Sequence, residues 1–301
     1  MTTPYGAELS DVTVRYGRGR DAALDGASFT VRPGTITGLL GRNGAGKSTA
    51  LALLASFRRP TSGTVRVDGA DPFENAAVMA GVQLVRESGD VVGDSPVNDT
   101  IGYYSGVRPL WDADYAKALL DQFGIDPRKT PDALSRGKQS ALGCIIGLAS
   151  RAPLTIFDES YLGMDAPSRY AFYDALLEDY TQHPRTIIVS SHLIDEVERL
   201  FEDVIVLHRG RTVVSETADA LRDRAVSLVG PTSAVSKLAD GRHTLATRSL
   251  GGTTQLTLEG ALDPEDVARA RDAGVEVGRV SVQDLFIHLT QEPETLKEDA
   301  R

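Results

Sequence analysis

Of 301 residues only one is cysteine, Cys144, so no disulfide can form within the chain. A lone thiol fits a reducing, cytoplasmic setting and reads as small apolar filler in a core. No apolar run approaches the ~18 residues that a bilayer span requires, and the longest, 141–149, suits a buried helix. The first residues lack a basic stretch followed by an apolar one, so no secretory signal is expected. Positive charge is scarce too: 32 Lys and Arg stand against 42 Asp and Glu, a formal net charge of −10. A chain this acidic is not built to track a phosphate backbone, and no nucleic-acid partner is expected. The histidines, His183, His192, His208, His243 and His288, show no metal-ligand spacing with one another or with Cys144. Repeats, low-complexity runs and heptads are missing as well. What remains is an ordinary globular composition, 41% hydrophobic and 25% charged, long enough for one large domain or two modest ones.

Against that background one stretch stands out: Gly41-Arg42-Asn43-Gly44-Ala45-Gly46-Lys47-Ser48-Thr49. It follows an apolar run, 35–40, that reads as a buried strand, and it opens onto a helix over 50–54. That is the strand–loop–helix setting of a phosphate-binding loop. The glycines let the backbone curl so that successive amide N–H groups face one anionic guest, with the positive end of the helix dipole behind them. Lys47 can reach β- and γ-phosphates, and the Ser48 hydroxyl can ligate Mg²⁺. A chance Gly-rich turn would match the pattern in roughly one such chain in a hundred, without the flanking strand and helix.

Taken in order, 8–16 alternates as a half-buried strand, 17–26 carries turn signals, and 27–31 is a second strand. Another alternating strand, 64–67, follows the loop helix, so an antiparallel flank is expected beside a parallel core. Residues 82–85 form a short strand and 88–96 a loop. From about 96 to 150 the segment is mostly helical, with helical spacing over 113–123 and again after 134. The strands 153–157, 186–190, 204–208 and 212–215 alternate with helices over 167–180 and 193–201, as in an open α/β sheet. Beyond 222 the order becomes βαββαβ, the ferredoxin-like pattern, closed by a helix over 282–289 that Ser281 caps. Three regions are therefore expected: 1–222, 223–291, and a polar tail, 292–301.

Several further pieces gain meaning from the loop. Asp158 and Glu159 end an apolar strand, where the first carboxylate can hold Mg²⁺ and the second polarise an attacking water. His192 lies just past the next strand, where an open α/β sheet gathers its ligands, within reach of a γ-phosphate. Leu134-Ser135-Arg136-Gly137-Lys138 precedes a helix, so Ser135 and Gly137 offer a second anion site suited to the nucleotide of another subunit. Tyr16, at the end of the first strand, is a platform for an adenine ring. Leu162-Gly163-Met164-Asp165 follows the carboxylates and suits a contact between subunits. Alone, each of these has a plainer reading: an acidic turn, a packing histidine, a helix cap, a half-buried tyrosine, a turn.

In this order the segments resemble the nucleotide-binding subunit of ABC transporters, over about residues 9–222. The resemblance implies an α/β fold: a P-loop NTPase core with an antiparallel β flank and an inserted helical subdomain, followed by a small α+β domain. It also implies ATP and Mg²⁺, with Tyr16, Gly41, Asn43, Gly44, Ala45, Gly46, Lys47, Ser48 and Thr49 around one nucleotide and Ser135 and Gly137 closing on it from a second ATPase subunit. Glu159 would be the base, His192 the γ-phosphate sensor, Lys47 the phosphate-binding cation, and Ser48, Asp158 and Glu87 the metal side; Glu87 aligns best with the family's loop glutamine, with Gln83, inside the strand, the weaker candidate. The partner would be a separate transmembrane permease, which places the chain at the inner face of the membrane. The ending from 281 to 290 resembles ATPases that serve exporters of lipids, drugs or antibiotics. The alternatives are a soluble relative acting on nucleic acid, ribosomes or signalling, and a plain kinase or GTPase, which leaves 134–138 unexplained. Five positions depart from the family pattern: Glu87 stands for the loop Gln, Arg136 and Lys138 replace Gly and Gln, and Ser160-Tyr161 replaces Pro-Thr.

Overall fold

The computed structural model describes residues 3–17, 21–87, 91 and 94–290; the expected tail and part of the expected loop over 88–96 lie outside them. Two compact units are present, Met1–Ser215 and Glu216–Arg301.

The first unit begins with β1 (Ala7–Arg15), which buries Leu9, Val12 and Val14 and bulges around Asp11, whose φ is 50. β2 (Ala22–Val31) starts well before residue 27, because Leu24 joins the same core and Gly26 absorbs the expected turn within the strand at φ 67. β3 (Ile36–Leu40) is buried at every position, as a central parallel strand must be. The phosphate-type loop then leads into α1 (Lys47–Leu54), and β4 (Ser62–Val67) follows. β1 lies between β2 and β4 in an antiparallel three-stranded sheet, the expected flank.

After the short α2 (Ala76–Met79) and β5 (Val82–Arg86) come three helices in succession: α3 (Val97–Val107), α4 (Ala113–Gln122) and α5 (Arg136–Ala149). Helical spacing does not reveal α3, because it buries only Val97 and Thr100 and contains Gly102 and Gly106. β6 (Leu154–Asp158), α6 (Ala166–Gln182), β7 (Thr186–Ser191), α7 (Ile194–Val197), β8 (Asp203–His208) and β9 (Arg211–Thr217) complete the alternation. The helix expected over 193–201 is shorter, a single α turn followed by a 3-10 turn at Glu198–Leu200.

The main sheet has six strands in the order β5-β6-β7-β3-β8-β9, and β5, β6, β7, β3 and β8 run parallel. Register aligns Arg86 with Asp158, Asp158 with Ser190, and Ser191 with Leu40. The carboxyl ends of four strands therefore finish on one line, and everything that follows them in sequence is delivered to one edge.

The second unit opens with α8 (Ala218–Arg222), which packs against α11 (Val282–Thr290), so the division falls ahead of residue 216 and not after 222. Between them lie β10 (Ala225–Pro231), α9 (Thr232–Leu238), β11 (Thr244–Leu250), β12 (Thr253–Glu259), α10 (Pro264–Asp272) and β13 (Glu276–Arg279). The antiparallel order β11-β12-β10-β13 is the ferredoxin-like arrangement of βαββαβ. Its core is small: Val226, Leu228, Val235, Leu256, Leu258 and Ala270.

Behind the main sheet an ion network ties the three-helix insertion to the rest of the first unit. Asp179 on α6 accepts from Arg151 at 2.5 Å and pairs with Arg185 at 2.6 Å, while Arg151 also reaches Asp112, the N-cap of α4, at 3.0 Å. Asp179 and Arg185 are buried, so neither charge can be left alone cheaply. Asp179→Ala removes the carboxylate partner of buried Arg185 and leaves Arg151 only Asp112, and is expected to lower unfolding free energy by about 3–5 kcal/mol, measured by chemical denaturation. Cys144 faces Ser160 at 3.4 Å, and burial pushes its thiol up to about 12. In the folded protein at mildly alkaline pH it is expected to resist iodoacetamide, and to react once denatured.

Candidate functional site

The loop after β3 is shaped by close approaches that only glycine permits. A Cβ on Gly46, which caps α1 at φ 104, would meet the Ala23 carbonyl at 2.5 Å; one on Gly41 would meet the Leu207 carbonyl at 2.7 Å. Ala45 is buried, and its carbonyl accepts from Gly210 N at 3.0 Å. Gly210 belongs to the two-residue turn between β8 and β9, where Arg209 (φ 49) and Gly210 (φ 76) both adopt positive φ. Arg42, Asn43, Gly44 and Ser48 face outward. The cradle is thus built from backbone, with its polar groups presented at the N-terminus of α1.

Lys47 is 5% exposed, and its ammonium donates to the Gly41 carbonyl at 2.7 Å. Its charge is met by Glu159 Oε1 at 3.0 Å. The other carboxylate oxygen of Glu159 lies 3.3 Å from His192 Nδ1. Asp158 ends β6 and is buried; its Oδ1 accepts from the Ser190 hydroxyl at 2.6 Å. The same Ser190 Oγ accepts from Glu159 N at 3.1 Å. Glu159 sits at φ 51, a left-handed conformation that costs a non-glycine residue of order 1–3 kcal/mol. Two partners hold it there, Ser190 on its amide and Lys47 on its carboxylate, while His192 Nδ1 lies beside the second oxygen without a hydrogen bond. The expected loop lysine, acidic pair and histidine thus converge on one cluster, and Ser190, which the sequence reading passed over, locks it.

Ser135 caps α5, accepting from Lys138 N at 3.4 Å. Among the described residues no hydrogen bond or ion pair joins Ser135 or Gly137 to the loop of Lys47. The segment packs instead on 162–165: a Cβ on Gly137 would lie 3.2 Å from the Gly163 carbonyl, and one on Gly163 only 2.3 Å from Ser140 Oγ. Arg169, another residue missed in sequence, fastens this turn, donating to the Met164 carbonyl at 2.9 Å and to both oxygens of Glu196 at 2.8 and 2.9 Å. Glu196 lies one turn beyond His192, so Arg169 links the two segments. Of the two basic departures, Lys138 is spent locally, donating to the Gly124 carbonyl at 2.5 Å.

Tyr16 stands just past β1; its hydroxyl lies 3.1 Å from Thr49 Oγ1, which brings ring and loop together. Glu87 follows β5, exposed, beyond the pairing of Arg86 with Asp158. Among the described residues no cluster of three His, Cys, Asp or Glu could cage a metal alone. The donors here, Ser48, Asp158 and Glu87, are all oxygens, which suits an ion that keeps water and phosphate in its shell, as Mg²⁺ does. The outward N–H groups of the loop and the buried ammonium of Lys47 fit a phosphate chain. No helix among the described residues is long and apolar enough to cross a membrane.

Comparison with known proteins places this geometry. Residues 24–161 match the ABC transporter family. The chain is 25% identical over 205 residues to the ABC transporter ATP-binding protein YtrB of Bacillus subtilis, covering 68% of this chain and 70% of YtrB. It is 27% identical over 316 residues to the daunorubicin resistance ATP-binding protein DrrA3 of Streptomyces coeruleorubidus, covering 95% and 96%. In fold it is similar to the dimeric post-hydrolysis ATP-binding cassette MJ0796 bound to ADP and Pi, with a TM-score of 0.63 at 20% identity over 70% of this chain and 98% of that one. Over residues 24–161 the chain is thus similar to the ABC transporter family, and the relatives it aligns with are named ATP-binding proteins.

Proposed function

We propose that this chain binds and hydrolyses ATP as the nucleotide-binding subunit of an exporter, pairing with a second ATPase subunit to drive a separate transmembrane permease. One observation carries the reading: Lys47, Glu159 and His192 form a contiguous cluster at the strand ends, with Asp158 fixed beside them by Ser190. The roles follow from their chemistry. The backbone of 41–49 and the Lys47 ammonium bind the β- and γ-phosphates. Ser48, Asp158 and Glu87 would hold Mg²⁺, which would offset negative charge building on the transferred group. Glu159 takes a proton from the attacking water, and His192, already beside that carboxylate, orients it against the γ-phosphate. Tyr16 carries the base.

Pairing is supported by what the chain leaves undone: Ser135 and Gly137 form an anion-ready helix start that, among the described residues, makes no hydrogen bond or ion pair with the loop of Lys47. A second copy, or a related subunit, brings that surface to the partner's nucleotide. MJ0796 is described as dimeric, which supports the same arrangement. The export direction draws on DrrA3, named for daunorubicin resistance, which aligns along nearly all of this chain. In this reading the chain sits at the inner face of the membrane through its permease.

Glu159→Gln is expected to cut turnover by roughly 10²–10⁴-fold while ATP still binds; full turnover in that variant removes the assigned base. For the transport role, the chain is isolated from detergent-solubilised native membranes. Co-isolation of a polytopic protein is expected, and its persistent absence favours a soluble role.

A further inference from the structure

Arg58, in the turn after α1, has no assigned task. Its guanidinium carbon lies over the ring of Tyr16, 3.9 Å from the centroid, and the group donates to the Arg15 carbonyl at 3.3 Å. The neighbouring pair is different in kind: Arg59 covers Phe73 but also faces Glu74 at 3.8 Å. Among the described residues no carboxylate pairs with Arg58, so its contacts are the Tyr16 ring and the backbone beside it. Tyr16 is thereby held at two points, the hydroxyl against Thr49 at 3.1 Å and one face under Arg58. The residue is nevertheless 51% exposed, so Arg58 and Thr49 leave much of it uncovered.

We infer that Arg58 is a positioning residue for nucleotide-base recognition, the outer layer of a three-layer stack in which Tyr16 is the middle and the purine the inner layer. The inference rests on the reading of Tyr16 as base platform. Two physical effects act in the same direction. A cation on one face of a phenol ring draws its π electrons toward that side and makes the other face a better acceptor for an electron-rich purine. Anchoring the ring beforehand also removes part of the ordering cost of binding. Neither effect touches the phosphates, so the contribution of Arg58 belongs to the base alone.

The test compares binding of MgATP and of magnesium tripolyphosphate, which has no base, to the full-length chain and to Arg58→Ala, Arg58→Lys, Tyr16→Ala and the double variant. Arg58→Ala is expected to weaken ATP by roughly three- to tenfold and leave tripolyphosphate unchanged. Arg58→Lys should recover part of the loss, and Arg58→Ala should add nothing in the Tyr16→Ala background. An equal loss for both ligands would mean that Arg58 acts as a distant positive charge, and overturns the inference. Loss with Tyr16→Ala but not with Arg58→Ala also overturns it, while the platform stands. If Tyr16→Ala itself leaves ATP binding intact, the platform reading fails, and the stack with it.

Discussion

Lys47 is a cation withdrawn from water, and an ammonium in that position needs an anion and hydrogen-bond acceptors close by. The fold supplies both from different parts of the chain: the Gly41 carbonyl from its own loop and the Glu159 carboxylate from the end of β6. That pairing constrains everything around it. The loop must curl back on itself, which Gly41 and Gly46 allow. Strands β3, β7 and β6 must end at one level, which their register ensures. Glu159 must take a left-handed backbone, which Ser190 holds by its amide.

The surroundings of the site are fastened by groups that never touch it. Arg169 reaches from α6 to the Met164 carbonyl and to Glu196, so the turn of 162–165 and the segment after His192 are pinned to one guanidinium. The backbone approach of Gly137 to Gly163 brings the start of α5 onto the same turn. The three segments therefore form one body: the helix start carrying Ser135, the turn after the carboxylates, and the strand end carrying His192. Closely packed elements of this kind shift between discrete arrangements instead of deforming by degrees.

Much of this was legible in the sequence, and the reasons differ by element. The loop of Lys47 declares itself through glycine spacing because backbone geometry dictates it. The buried strands before Gly41, Asp158 and Ser191 show as short β-branched or apolar runs because both of their faces are covered. The βαββαβ order is readable because each turn is marked by glycine or proline. What escaped lacked a local signal. Helix α3 buries too few side chains to leave a period. The Ser190 hydroxyl, Arg169, Gly210 and Arg58 act through partners 31, 5, 165 and 42 positions away at the least, counted from Ser190 to Glu159, Arg169 to Met164, Gly210 to Ala45 and Arg58 to Tyr16. Only folding brings most of those pairs together. The division between the units, ahead of residue 216, was also hidden, since α8 looks like the end of one unit until its packing partner α11 is seen.

The departures from the family pattern separate along the same line. Ser160 and Tyr161 stand next to the carboxylates, yet both are fully buried. Tyr161 stacks on Phe172 at 6.0 Å, meets Tyr173 edge-on at 5.4 Å, and donates to the Ser190 carbonyl at 3.2 Å. Ser160 faces Cys144. These two residues pack the underside of the site and brace the strand end that carries Ser190, a structural use of positions adjoining the chemistry. Lys138 is likewise consumed within its own unit by the Gly124 carbonyl. Arg136 differs: it is exposed on the first turn of α5, beside the Ser135 cap, so the charge it adds stays on the surface that a partner's nucleotide would meet. Of these four substitutions, three are absorbed into packing or local hydrogen bonding, and the one that leaves an added charge on the open surface beside Ser135 is Arg136.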